Sequence, residues 1–77
     1  MKHLIDISNN EFIYYEKRTK NSDWKVRIYV GDNKSFYGNG SSKNIAKENL
    51  ELYIKTLYVE YTNSGSNLPF SIYLESL

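Results

Sequence analysis

Lys43 and Lys47 stand one helical turn apart, directly after Gly38-x-Gly40-x-Ser42. Serine is a preferred helix N-cap, so this spacing predicts a helix opening at Ser41-Ser42 with two ammonium groups beside its first turns. Free backbone N–H groups and the positive end of the helix dipole gather at such a place, and phosphate is the ligand they accept. Asn44 can hydrogen-bond the same anion without adding charge. Lys20-Asn21-Ser22 offers a second polar group, one charge and two hydrogen-bonding side chains. Other chemistries lack their parts. The chain has no cysteine, which excludes a thiol nucleophile, disulfides and a cysteine-based zinc site. His3 is its single histidine. Glu11 and Glu16 bracket one predicted strand on opposite faces, with no nucleophile beside them. The expectation is a non-catalytic chain with no metal and no cofactor.

The 77 residues have room for one domain, taken as 1–77. The net charge of +1 hides a segregation. Between Lys17 and Lys47, eight bases against Asp23 and Asp32 leave +6, and the remaining residues carry −5. That pattern either folds into a basic face opposite an acidic one or reflects bases that simply solvate exposed strand positions. Aromatics reach 16%, with eight tyrosines, so the composition is not that of a disordered chain. No apolar run approaches the roughly 20 residues of a membrane span, and no signal-peptide pattern opens the chain.

The elements that must position these groups follow from periodicity. Leu4, Ile5 and Ser8 share one side at helical spacing, which predicts a short helix over residues 2–9. Residues 12–18, aromatic and β-branched, read as a strand, and Thr19 to Asp23 as a polar loop. Trp24, Val26, Ile28 and Val30 alternate with Lys25, Arg27 and Tyr29, the pattern of a strand with one wet face. A turn at 31–34 leads to a third strand, 35–40, so the strands form an antiparallel meander. Tyr29 and Tyr37 then share the wet face with Arg27. They are either base-stacking partners or cross-strand packers, and packing is the preferred reading. Ala46, Leu50, Tyr53, Ile54 and Leu57 form the apolar stripe of the helix that covers the sheet. After a link at 62–67, Pro69, Phe70, Tyr73, Leu74 and Leu77 predict a short C-terminal helix.

Strands followed by Gly38-x-Gly40-x-Ser42-Lys43-x-x-Ala46-Lys47 resemble the double-stranded RNA-binding domain family. The resemblance covers about residues 12–58. It implies an α+β fold: short N-terminal helix, three-stranded antiparallel sheet and a helix on one sheet face (α-β-β-β-α), with 68–77 as an extra helical segment. It implies binding of double-stranded RNA by A-form shape and phosphate contacts. The contacts would come from Gly40, Ser42, Lys43, Asn44 and Lys47 at the helix start, and from Lys20, Asn21 and Ser22 in the loop. The first helix would reach a minor groove. Free-standing viral members sequester such RNA from host sensors. The resemblance therefore extends to a cytoplasmic antagonist of host innate immunity, with host dsRNA-sensor proteins as partners and no membrane.

The sequence departs from the family where Asn44 replaces a lysine and where the loop lacks the usual Gly-Pro-x-His. Leu50 and Ile54 replace small residues, which implies a helix set further out. Residues 68–77 either fill space left by the short first helix or build a homodimer, and filling is preferred. The competing reading is a dsRNA-binding-like module that dimerises or docks on proteins and binds little or no RNA. A third is the binding part of a larger enzyme.

Overall fold

The computed structural model describes residues 3–77. Four strands come first and two helices follow: β1 (Leu4–Ile7), β2 (Asn10–Arg18), β3 (Trp24–Val30), β4 (Lys34–Gly40), α1 (Lys43–Asn63) and α2 (Phe70–Glu75). The strands form one antiparallel sheet in chain order. This corrects the expected α-β-β-β-α order, because residues 4–7 are a strand and, among the described residues, no helix precedes the sheet. Lys2, the first residue of the expected helix, lies outside the described residues.

The reason lies in burial. Ile5 and Ile7 are 1% and 2% exposed, while Leu4, which the helical spacing needs inside, is 39% exposed. Two positions apart is the period of a strand. The Ser8-Asn9 connection between Ile7 and Asn10 supplies the other half. Both residues have positive φ, 49° and 69°, as a two-residue hairpin turn requires, and asparagine tolerates that region well. The Asn9 N–H donates to Asp6 Oδ1 at 2.9 Å, and the Asn10 side-chain amide donates to the Ile7 carbonyl at 3.0 Å. β2 then changes partner half-way. Its residues 10–13 pair with β1 and its residues 14–18 with β3.

The strands from β2 to β4 match the sequence reading, with β2 and β4 starting slightly earlier than expected. Val26, Ile28, Val30 and Phe36 face α1, whose Ala46, Leu50, Ile54 and Leu57 are buried against them. Each large aliphatic or aromatic side chain buried in this way contributes about 1.5–3 kcal/mol. Tyr53 of the expected stripe is half-exposed and rests its ring 5.9 Å from Phe36. Leu50 and Ile54 do not hold the helix off the sheet. A Cβ on Gly38 would lie 2.5 Å from the Leu50 backbone nitrogen and 2.6 Å from the Ala46 carbonyl oxygen. A Cβ on Gly40 would lie 2.6 Å from the Ala46 nitrogen. Both glycines are therefore seats for the helix backbone. α2 packs Phe70 and Leu74 into the same core, so the C-terminal segment fills space within the chain. No helix among the described residues is long and apolar enough to cross a membrane.

Ser42 caps α1. Its hydroxyl accepts from the Ile45 N–H at 3.2 Å, and its carbonyl accepts from the Ala46 N–H at 3.0 Å. Ser42→Ala should cost about 1 kcal/mol. In a domain this small that lowers the thermal midpoint by roughly 4–8 °C. Thermal unfolding followed by circular dichroism measures it, and Ser42→Asp should recover most of the loss.

Candidate nucleic-acid interface

Trp24 pairs with Arg18 on one side and Gly40 on the other, so three strand ends meet here. The β2–β3 loop and the β4–α1 junction therefore leave the sheet at the same end. The loop closes around Lys20-Asn21-Ser22. The Thr19 N–H donates to the Asp23 carbonyl at 2.7 Å, and the Ser22 N–H donates to the Thr19 carbonyl at 3.1 Å. Ser22 takes φ 66°, the left-handed residue of a three-residue hairpin loop. All three side chains are exposed.

At the junction, Trp24 is half-buried on the helix side of the sheet. The Lys43 ammonium lies 4.7 Å from the indole centroid and the Arg18 guanidinium 5.8 Å from it. Two cations thus share one aromatic ring, each held by its quadrupole. The first turn of α1 carries no acid. A base at that position opposes the helix dipole, so an anion bound there relieves an existing repulsion. Asn44 is exposed beside Lys43.

Lys47 is placed differently. It lies 3.8 Å from Glu51 one turn on, and 5.4 Å from the Tyr14 ring. Its charge is partly answered within the chain. Gly40 supports the helix start through packing and presents no side chain. Among the described residues the other contact of a base with an acid is His3 Nε2 with Glu16 Oε1 at 3.8 Å. His3 Nδ1 also lies 3.2 Å from the Tyr14 hydroxyl. Glu11 stands across from Asp6 on the opposite face. No group of three metal-binding side chains forms among the described residues.

The structure thus brings Ser42, Lys43, Asn44, Lys20, Asn21 and Ser22 to one end of the sheet, with Lys47 further along the helix. It adds two residues that the sequence reading did not place in the site, Arg18 and Trp24. Their signal was available: a three-residue loop makes Arg18 and Trp24 cross-strand partners. The basic middle of the chain is not wholly at this end, since Lys34 begins β4 at the far turn. The minor-groove contact expected from residues 2–9 has no helix to make it. Comparison with protein-family models, with curated proteins and with solved structures finds no match, so the likeness to double-stranded RNA-binding domains rests on the residues quoted for it.

Proposed function

We propose that the chain is a non-catalytic module that binds an RNA duplex through its phosphates, at the end of the sheet where α1 begins. One observation carries the reading: Lys43 and Arg18 converge on Trp24 beside a helix start with no acid in its first turn, and neither base makes an ion pair among the described residues. Lys43 and the capped helix start take one phosphate, with Asn44 as a neutral hydrogen-bonder. Lys20, Asn21 and Ser22 reach phosphate or ribose from the neighbouring loop. With residues 4–7 a strand and not the expected helix, the site reads backbone charge and shape at one place, which predicts low affinity and strong salt dependence. The cytoplasm is the compartment this reading implies.

The test is titration of a duplex of about 20 base pairs, slightly longer than the roughly 16 that a full domain of this kind spans, at two salt concentrations. Arg18→Ala with Lys43→Ala should weaken duplex binding at least about tenfold and lower the salt slope by about two. Lys47→Ala should do less, because Glu51 already answers that charge. Absence of duplex binding at low salt overturns the reading.

A second reading has its own observation. Ile45, Leu52 and Val59 recur every seventh residue on the outward side of α1, at 45%, 62% and 56% exposure. Such a row suits a protein partner or a second copy. Sedimentation that finds a dimer, together with no duplex binding, would favour it.

A further inference from the structure

The open face of the sheet carries a pattern that contacts at its end do not use. The pairings Tyr15↔Arg27 and Arg27↔Tyr37 set these three residues in one row across β2, β3 and β4. Neighbouring strands lie about 4.8 Å apart, so the two tyrosine backbones stand roughly 10 Å from each other. Two residues further along each strand, about 6.7 Å away, comes the row Lys17, Lys25 and Asn39. Tyr29 stands diagonally beside Tyr15, the rings meeting edge to face at 5.7 Å. Tyr15, Tyr29 and Tyr37 are 56%, 58% and 49% exposed.

The cations of this face lie against those rings. Lys25 Nζ is 4.6 Å from the Tyr37 centroid, and the Arg27 guanidinium is 5.7 Å from Tyr37 and 6.0 Å from Tyr29. Lys17, Lys25 and Arg27 make no ion pair among the described residues. Arg27 Nε is shut off from solvent and has no hydrogen-bond acceptor among them, so the ring contacts hold the guanidinium in place. Of the acids on this face, Asp6 and Glu11 stand opposite each other across β1 and β2, away from the lysine row, and Asp23 leads into β3 two residues before Lys25. A groove of about 710 Å³ runs from Tyr29, Arg27 and Lys25 along β2 residues 15–18, Glu16 and Arg18 included, to the loop at Lys20.

Flat rings in one row and cations without acid partners in the next fit a polymer in which flat rings alternate with anions. An acidic peptide answers the cations and leaves the rings in water. An apolar partner strands the cations. A duplex keeps its base faces stacked within itself. We propose that the Tyr15–Arg27–Tyr37 row stacks the unpaired bases of a single-stranded nucleic acid segment, with Lys17 and Lys25 on its phosphates. The site is separate from the helix start and does not depend on the duplex reading.

The test uses the full chain and fluorescence anisotropy. The probes are single-stranded RNA and DNA of about 12 nucleotides, within the usual span of such platforms, and an abasic DNA of equal length. Stacking is worth roughly 5- to 150-fold per base, so Tyr15→Leu with Tyr37→Leu should weaken binding of the base-bearing strands at least about tenfold. Tyr15→Phe with Tyr37→Phe keeps the rings and should retain binding within about twofold, which also shows that the face tolerates substitution. The abasic strand should bind more weakly and be indifferent to both variants. Equal affinity for the abasic strand, an unchanged leucine variant, or no single-strand binding would overturn the proposal. Lys43→Ala, at a residue outside this groove, should leave the base-bearing strands bound. That separates failure of this site from failure of the duplex site.

Discussion

Gly38→Ala is expected to lose about 3 kcal/mol of stability, the upper part of the usual cost of overpacking. The added methyl would meet the Leu50 nitrogen at 2.5 Å and the Ala46 carbonyl at 2.6 Å. Both are backbone atoms inside a hydrogen-bonded helix, so neither can swing aside as a side chain would. α1 must rise from β4 as a body, and Ala46, Leu50 and Ile54, all at 0% exposure, lose contacts together. A domain of this size has only about 4–11 kcal/mol to lose. Urea unfolding should show the midpoint falling by roughly 2–3 M, at a slope of about 1 kcal/mol per molar. Gly65→Ala is the control. It has open space around it but a φ of 67°, so it costs only the conformational penalty of about 1–2 kcal/mol. A Gly38→Ala midpoint equal to wild type would refute the close seating of α1. The same shift would pull Ser42 and Lys43 away from Trp24 and Arg18, so the folded fraction should also bind duplex RNA more weakly.

That result changes the meaning of the Gly38-x-Gly40-x-Ser42 frame. In the sequence it points to phosphate; in the fold its glycines are first a helix seat, and only the residues after them face a ligand. Much of the rest was legible for simple reasons. Trp24 to Val30 alternates because one face meets α1 and the other meets water. Ser42 announces its helix because a cap is a local hydrogen bond. The stripe from Ala46 to Leu57 was legible because it is long. β1 was not. Over Leu4–Ile7 the apolar residues satisfy both periods, and the choice falls to the free edge of β2 and the Ser8-Asn9 turn, which are tertiary and backbone facts. The open face lay between these cases. Alternation grouped Tyr29 with Lys25 and Arg27, but joining Tyr15, Arg27 and Tyr37 in one row needs the register that two three-residue loops create. Cross-strand packing was the preferred reading for these tyrosines. Tyr15 and Tyr29 do touch, while Tyr37 lies against Lys25 and Arg27, and all three residues stay about half exposed because no layer covers that side.

Phe70→Ala is expected to cost about 3–5 kcal/mol, the range for removing a fully buried aromatic ring. Phe70 is 2% exposed, with the rings of Tyr58 at 5.0 Å, Tyr61 at 5.2 Å and Phe12 at 6.2 Å. It therefore joins α2, α1 and β2 at one point. α2 has six residues, too few to be helical alone, so its order comes from this docking. Hydrogen exchange should show the Tyr73 and Ser76 amides, bonded to Pro69 and Ile72, losing protection first. Amides of β3 should follow only with global unfolding. Phe70→Leu keeps most of the volume and should lose less than about 1.5 kcal/mol. A loss below about 1 kcal/mol for Phe70→Ala would mean that the C-terminal segment is not part of the core. The position of α2 sharpens the test. Its Glu75 lies beside the β3–β4 turn at Gly31, at the end of the sheet opposite Lys20 and Lys43. Stability and binding should then separate: Phe70→Ala removes folded molecules, while those that remain folded bind nucleic acid as before. Gly38→Ala, acting beneath the helix start, impairs both.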